Sequence, residues 1–186
     1  MIRALLLRRL WLIGNSITSS VILSFLFPMA IFIFINLAFR KILVNGIYNI
    51  NFDKWIYPSM VFLASGLSII PSIFRDLFDL RIHKKVLTYL SISPFSKPFL
   101  ISSFLVVSLT EGLVMCIISL LIYSFIIPYP FSLIETLALV FYLSIFLIFL
   151  GNIFITVSIL SNKSASFFIS SFIMVFFILF GSGLII

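Results

Sequence analysis

The sequence predicts an all-α fold: a polytopic membrane helix bundle in a single domain, 1–186, with an N-terminal interfacial helix and five transmembrane helices. Three observations predict it. The chain is 63% hydrophobic and only 9% charged, against roughly 45–50% and about 25% in an ordinary soluble domain. Its apolar residues fall in runs of about 20 or more, the length that crosses a hydrocarbon layer of about 30 Å. Its basic residues gather in alternate connecting segments. A soluble fold of 186 residues could not bury so much apolar surface. A water-soluble globule, a disordered chain and a nucleic-acid-binding domain are therefore excluded. The single cysteine, Cys116, excludes a disulfide framework and a cysteine-based metal site. His83 is the only histidine, which argues against a multi-histidine metal site, and no cofactor is expected.

Residues 1–16 carry Arg3, Arg8 and Arg9 ahead of an apolar run. That run is too long for a secretory h-region, and no small-residue cleavage site follows at the right distance. The segment reads as a short interfacial helix, although its arginines share no clean helical face. The spans follow at 17–39, 56–74, 99–127, 133–160 and 165–186. They are apolar all round, as lipid-embedded helices are. Runs such as 141–150 do not alternate as barrel strands would.

Pro28 within the first span and Pro71 near the end of the second each remove a helix hydrogen bond. The resulting bend either gates the bundle or simply fits it. Ala64, Ser68 and Ser72, and again Ser166 and Ser170, recur at spacing four and predict stripes where another helix, of the same chain or of a second copy, approaches closely. Trp55, Tyr57 and Tyr129 stand where interfacial aromatic anchors are expected. The short turn Ser161-Asn162-Lys163-Ser164 makes the last two spans a tight antiparallel hairpin.

The head, the 75–98 loop and the last turn share one side and hold nine basic residues. The opposite side holds only Arg40, Lys41 and Lys54. The positive-inside rule then places the N-terminus in the cytoplasm, and the net charge of +7 serves insertion and attraction to the lipid bilayer. No nucleic-acid partner is expected, because phosphate binding needs a larger basic surface than these loops offer.

Glu111 is the one charge deep in a span. A central acid costs about 2.5–3.5 kcal/mol on insertion scales, so it must face protein or water, or be protonated. It lines a translocation path or relays protons, or else it is a neutral acid bonded to Asn152 or a serine. Asn36 and Asn152 pose weaker versions of the same choice.

Residues 75–98 are too polar to span and too apolar to float free. Leu80, Val86, Leu87, Tyr89 and Leu90 make an apolar side for short surface helices, and Ser93-Pro94 resembles an N-cap followed by proline at the first helical position. Two readings stay open: a helix that docks a cytoplasmic partner, or a re-entry loop whose charges are merely solvated and orienting.

This order of elements resembles the permease subunit of the ABC-2 family of ATP-driven transporters. Members begin with an interfacial helix, cross twice, and present a cytoplasmic acidic-basic cluster before a leucine-bearing helix and a Thr/Ser-Pro turn. The matching positions are Arg75, Asp76, Asp79 and Arg81, then Leu87, Leu90, Ser93 and Pro94. The resemblance implies that this segment is the coupling helix, seated in a groove of a separate ATP-binding cassette ATPase subunit. It also implies a second permease copy, as homodimer or heterodimer, in the bacterial cytoplasmic (inner) membrane, exporting a drug, lipid or polysaccharide-type substrate. The chain departs from the family in two ways. His83-Lys84-Lys85-Val86 replaces a Glu-x-Gly-Thr-like element. The family's sixth span has no counterpart, which implies a truncated, split or shortened permease.

No GxxxxGK[ST] run occurs among the seven glycines, so ATP hydrolysis is assigned to the partner. An enzyme is not expected. Gly66-x-Ser68 lacks a second glycine, His83 lies outside the spans, and Asp76 and Asp79 share a surface-facing segment. The remaining class is an ion-coupled carrier or a non-catalytic membrane assembly subunit, with Glu111 as its candidate.

Overall fold

The computed structural model describes residues 2–39, 52–85, 96–126 and 131–181, with side chains described for 2–35, 56–85, 96–126 and 131–179. Every regular element among them is helical: α1 (Ile2–Asn15), α2 (Ile17–Phe39), α3 (Phe52–Ile73), α4 (Asp79–Ile82), α5 (Lys97–Ile126), α6 (Leu133–Leu160) and α7 (Ser164–Gly181). A π-turn, Phe74–Phe78, joins α3 to α4 without a break. Four runs are long and apolar enough to cross a membrane: Ile17–Ile35, Ile56–Ile82, Lys97–Ile126 and Leu133–Leu160. The architecture is a helical bundle of the kind a multi-pass membrane protein has. The fifth predicted span corresponds to α7, whose apolar stretch, Ser164–Leu179, is shorter; its last five residues, 182–186, lie outside the described residues.

Local chemistry sets the helix ends. The α1 helix closes when Ser16 N–H turns back to the Ile13 carbonyl at 3.2 Å, and α2 restarts with Ser20 N–H on the Ser16 carbonyl at 2.9 Å. The α6 helix opens on a capping box, in which the Ser132 backbone N–H donates to Glu135 Oε2 at 2.7 Å and Glu135 N–H donates to Ser132 Oγ at 3.4 Å. Beyond α4, Lys85 adopts a left-handed backbone with φ of 52°, a conformation that stops a helix.

The second predicted span becomes the centre of the bundle. Two thirds of its span window is buried, against 11% for α2. The α3 helix lies against α2, α5, α6 and α7 together. Its Ile56, Val61, Ala64, Ser65 and Ile69 are fully enclosed. α5 runs antiparallel to it, with Tyr57 opposite Leu120 and Ile69 beside Gly112. Glycine permits the close approaches: a Cβ at Gly112 would stand 2.9 Å from Leu147, and one at Gly151 would stand 2.6 Å from Leu105.

One sequence expectation is corrected by this packing. Tyr57 is no interfacial anchor. It is buried, donates from Oη to the Leu120 carbonyl at 3.0 Å, and packs edge-on against Tyr123 at 5.9 Å. A phenol that finds a partner inside the bundle has no need of the headgroup layer. Within this chain α7 does not pack through the Ser166/Ser170 stripe. Ser166 is exposed and Ser170 half-buried, while Phe167, Ser171 and Ile178 turn inward. Phe167 reaches Phe74 and Phe78 at ring distances of 5.2 and 5.4 Å, and that aromatic contact sets the rotation of the helix. Ala64 and Ser72 do lie in the core, with Ser68 half-buried. Trp55 and Asn36 fall outside the described side chains, and Tyr129 outside the described residues.

Pro28 sits inside α2. Its carbonyl accepts a hydrogen bond from Tyr123 Oη of α5 at 3.1 Å, which ties the proline region of α2 to its neighbour.

Candidate functional site

The described ion pairs that join different elements meet where α1, the π-turn and the middle of α5 converge. The outward face of α1 is apolar: Leu7, Leu10 and Trp11 are all more than half exposed. Arg9 points the other way and is only 4% exposed. This reverses the polarity of a soluble amphipathic helix and fits an element with lipid outside and protein inside.

The Arg9 guanidinium joins two acids from distant parts of the chain. Its Nη2 lies 2.9 Å from Asp76 Oδ2. The same nitrogen donates to the Ser72 hydroxyl at 2.6 Å and to the Ser72 carbonyl at 3.0 Å. Its Nε lies 2.8 Å from Glu111 Oε1, a contact made at ion-pair distance but off the line of the N–H bond. Two more arginines flank the core at longer range: Arg8 Nη1 is 3.5 Å from Asp76 Oδ1, and Arg75 Nη2 is 3.5 Å from Glu111 Oε1. Three guanidinium groups thus meet two carboxylates, which leaves one formal positive charge in the cluster.

The π-turn delivers Asp76. Asp79 N–H donates to the Phe74 carbonyl, five residues back, so the helix holds one extra residue. An extra residue rotates the remainder of the helix by about 100° relative to an uninterrupted α-helix with 3.6 residues per turn. Asp76, Leu77 and Phe78 are consecutive and all buried, as befits a turn surrounded by other elements.

The structure brings some predicted site residues together and separates others. Arg75, Asp76 and Glu111 share the cluster. Asp79 does not: it pairs with His83 and Lys84, each at 3.2 Å. The expectation that Asp76 and Asp79 share a surface-facing segment is therefore corrected. Asp76 is 5% exposed, because the extra residue turns it toward Arg9. Arg81 donates to the carbonyls of Ile159 and Ser161 at the end of α6, and its guanidinium stands 6.0 Å over the Phe78 ring. Leu87, Leu90, Ser93 and Pro94 lie outside the described residues.

Glu111 is paired with Arg9 and Arg75, and not with Asn152. The Asn152 amide instead donates to the Ile148 carbonyl of its own helix at 2.9 Å. Sequence reasoning missed Arg9 as a site residue. The available signal was the intraspan acid itself: a buried carboxylate needs a counter-charge, and the arginines of the head were within reach of an inner helix end. The arrangement joins three elements through one planar fork whose donors match two carboxylates. Comparison with protein-family models, curated proteins and solved structures finds no match for this chain.

Proposed function

We propose that this chain is the membrane permease subunit of an ABC transporter. It exports a drug, lipid or polysaccharide-type substrate with ATP hydrolysed by a separate ATPase, and its N-terminus is cytoplasmic. One observation carries the reading. The limb running from α3 through the π-turn into α4 is clamped on three sides before it enters the 83–96 segment. Arg9 ties it to α1, the Arg9–Glu111 pair ties it to α5, and Arg81 ties it to the end of α6. Force applied to that segment by a docked ATPase would reach three helices at once rather than one.

The ion pair on Glu111 supports a structural role for this acid in place of a proton-carrying one. Transport would then depend on ATP and not on a proton gradient. The test is gentle extraction with the candidate ATPase co-expressed, followed by disulfide trapping from a cysteine at Leu87 or Tyr89. Co-purification with cross-linking supports the proposal. An ATPase that never accompanies the chain, or proton-driven uptake by liposomes holding this protein alone and abolished by Glu111→Gln, overturns it.

A further inference from the structure

The outward face of α6 carries its polar groups in one line. Tyr142, Ile145, Phe149, Asn152, Thr156 and Ile159 are all exposed, and they succeed one another at spacings of three and four, the repeat of a helix-pairing seam. From residue 137 onward, every polar side chain that is exposed on α6 stands on this line: Tyr142, Asn152 and Thr156. The exposed residues beside it, including Leu137, Phe141, Ile148 and Leu160, are apolar. An open groove of about 350 Å³ lies at the same level, lined by Phe149, Asn152 and Thr156 of α6 and by Met174 of α7.

Asn152 decides what fits there. A carboxamide has two N–H donors and one acceptor oxygen. One donor serves the Ile148 carbonyl. One N–H and the Oδ1 remain, without a partner among the described residues, on a face with no charged group near them. In hydrocarbon such groups seek a partner across a helix interface. One spare donor and one spare acceptor make the group self-complementary, and a two-fold axis brings a residue on the seam to its own counterpart.

We propose that a second copy of this chain packs on α6 along this seam, with the two-fold axis at Asn152 and the two carboxamides exchanging reciprocal N–H···Oδ1 hydrogen bonds. A side chain of each copy enters the groove of the other. This names the face used by the second copy that the permease reading calls for. It rests on that reading only for there being a pair. The experiment needs no ATPase, so its failure is distinguishable from failure of the permease reading.

The test uses the full chain in lipid vesicles, with Cys116→Ser so that introduced cysteines stand alone. Phe149→Cys, Asn152→Cys and Thr156→Cys are expected to form disulfide dimers on mild oxidation. Leu23→Cys on α2 and Phe172→Cys on α7, equally exposed, are expected not to. In a separate measurement of association by energy transfer between labelled copies, Asn152→Leu is expected to weaken pairing by about three- to thirty-fold, with an unchanged thermal transition because the side chain points out of the bundle. Equal cross-linking at the control positions, a monomer at every protein-to-lipid ratio, or pairing unaffected by Asn152→Leu would overturn the proposal.

Discussion

Arg9 and Asp76, 67 positions apart in sequence, meet at 2.9 Å with both side chains more than nine-tenths buried. Breaking a buried pair by removing one partner costs about 3–5 kcal/mol, because the other charge is stranded. Arg9→Met leaves Asp76 and Glu111 with only their 3.5 Å contacts to Arg8 and Arg75 and should fall within that range. Arg9→Lys should recover little, since an ammonium cannot reproduce the planar fork. Arg8, with a side chain 31% exposed and a contact at 3.5 Å, should cost under about 1 kcal/mol when changed to Gln. Unfolding in a fixed detergent measures all three, and an Arg8 variant as damaging as the Arg9 variants would contradict the assignment of Arg9 as the centre.

The tyrosine ties are open to a milder substitution. Tyr123→Phe removes the hydrogen bond to the Pro28 carbonyl and leaves the ring in place. The expected loss is about 0.6 kcal/mol, the mean for bonds between membrane helices, with a ceiling of about 2 kcal/mol. Labels on α2 and α5 should report a wider distance distribution in this variant. An unchanged distribution would mean that the tie does not hold α2.

Glycine contacts give a ranked set. A Cβ at Gly112 would press on Leu147, which is fully buried and has nowhere to move. Gly112→Ala should cost about 1–3 kcal/mol as overpacking. The approach at Gly151 is shorter, but it falls on the end of the Leu105 side chain, which is only half-buried and can swing aside. Gly151→Ala should therefore cost less than Gly112→Ala. Nothing lies within 4 Å of a Cβ at Gly14, so Gly14→Ala should stabilise α1 by up to about 1 kcal/mol through helix propensity. Thermal denaturation of the three variants reads the order directly.

Removing the cap of α6 is a fourth case. Ser132→Ala deletes the acceptor of the Glu135 N–H, with an expected cost of about 1 kcal/mol. Amide exchange should rise in the first turn of α6 and remain unchanged near Gly151. Exchange that rises throughout the helix would show that the cap governs more than its own turn.

Arg81 bears on the proposed function. Arg81→Met releases the end of α6 from the α4 limb. ATPase co-purification should persist, while transport per ATP hydrolysed falls. Equal loss of both would place Arg81 in docking rather than in transmission.

The order of the helices and the extent of two of them were legible in the linear sequence, because a membrane span is a matter of length and apolar content and needs no knowledge of neighbours. The 17–39 and 133–160 spans coincide with α2 and α6. A polar head followed by a charge-free run likewise announced α1. Packing was not legible, for a related reason. When a helix is apolar on every side, hydropathy carries no mark of which side meets protein and which meets lipid. So Tyr57 passed for a headgroup anchor, and only the small residues Ala64, Ser68 and Ser72 marked a packing face on α3. The charge cluster shows the same limit. The need of Glu111 for a partner could be read locally, but the choice of Arg9 over Asn152 depends on where α1 packs against α5, and that of Asp76 on one extra residue in the turn after α3. That turn rotates Asp76 toward a helix more than sixty residues away, and only the three-dimensional arrangement of α1, α3 and α5 makes such a meeting favourable.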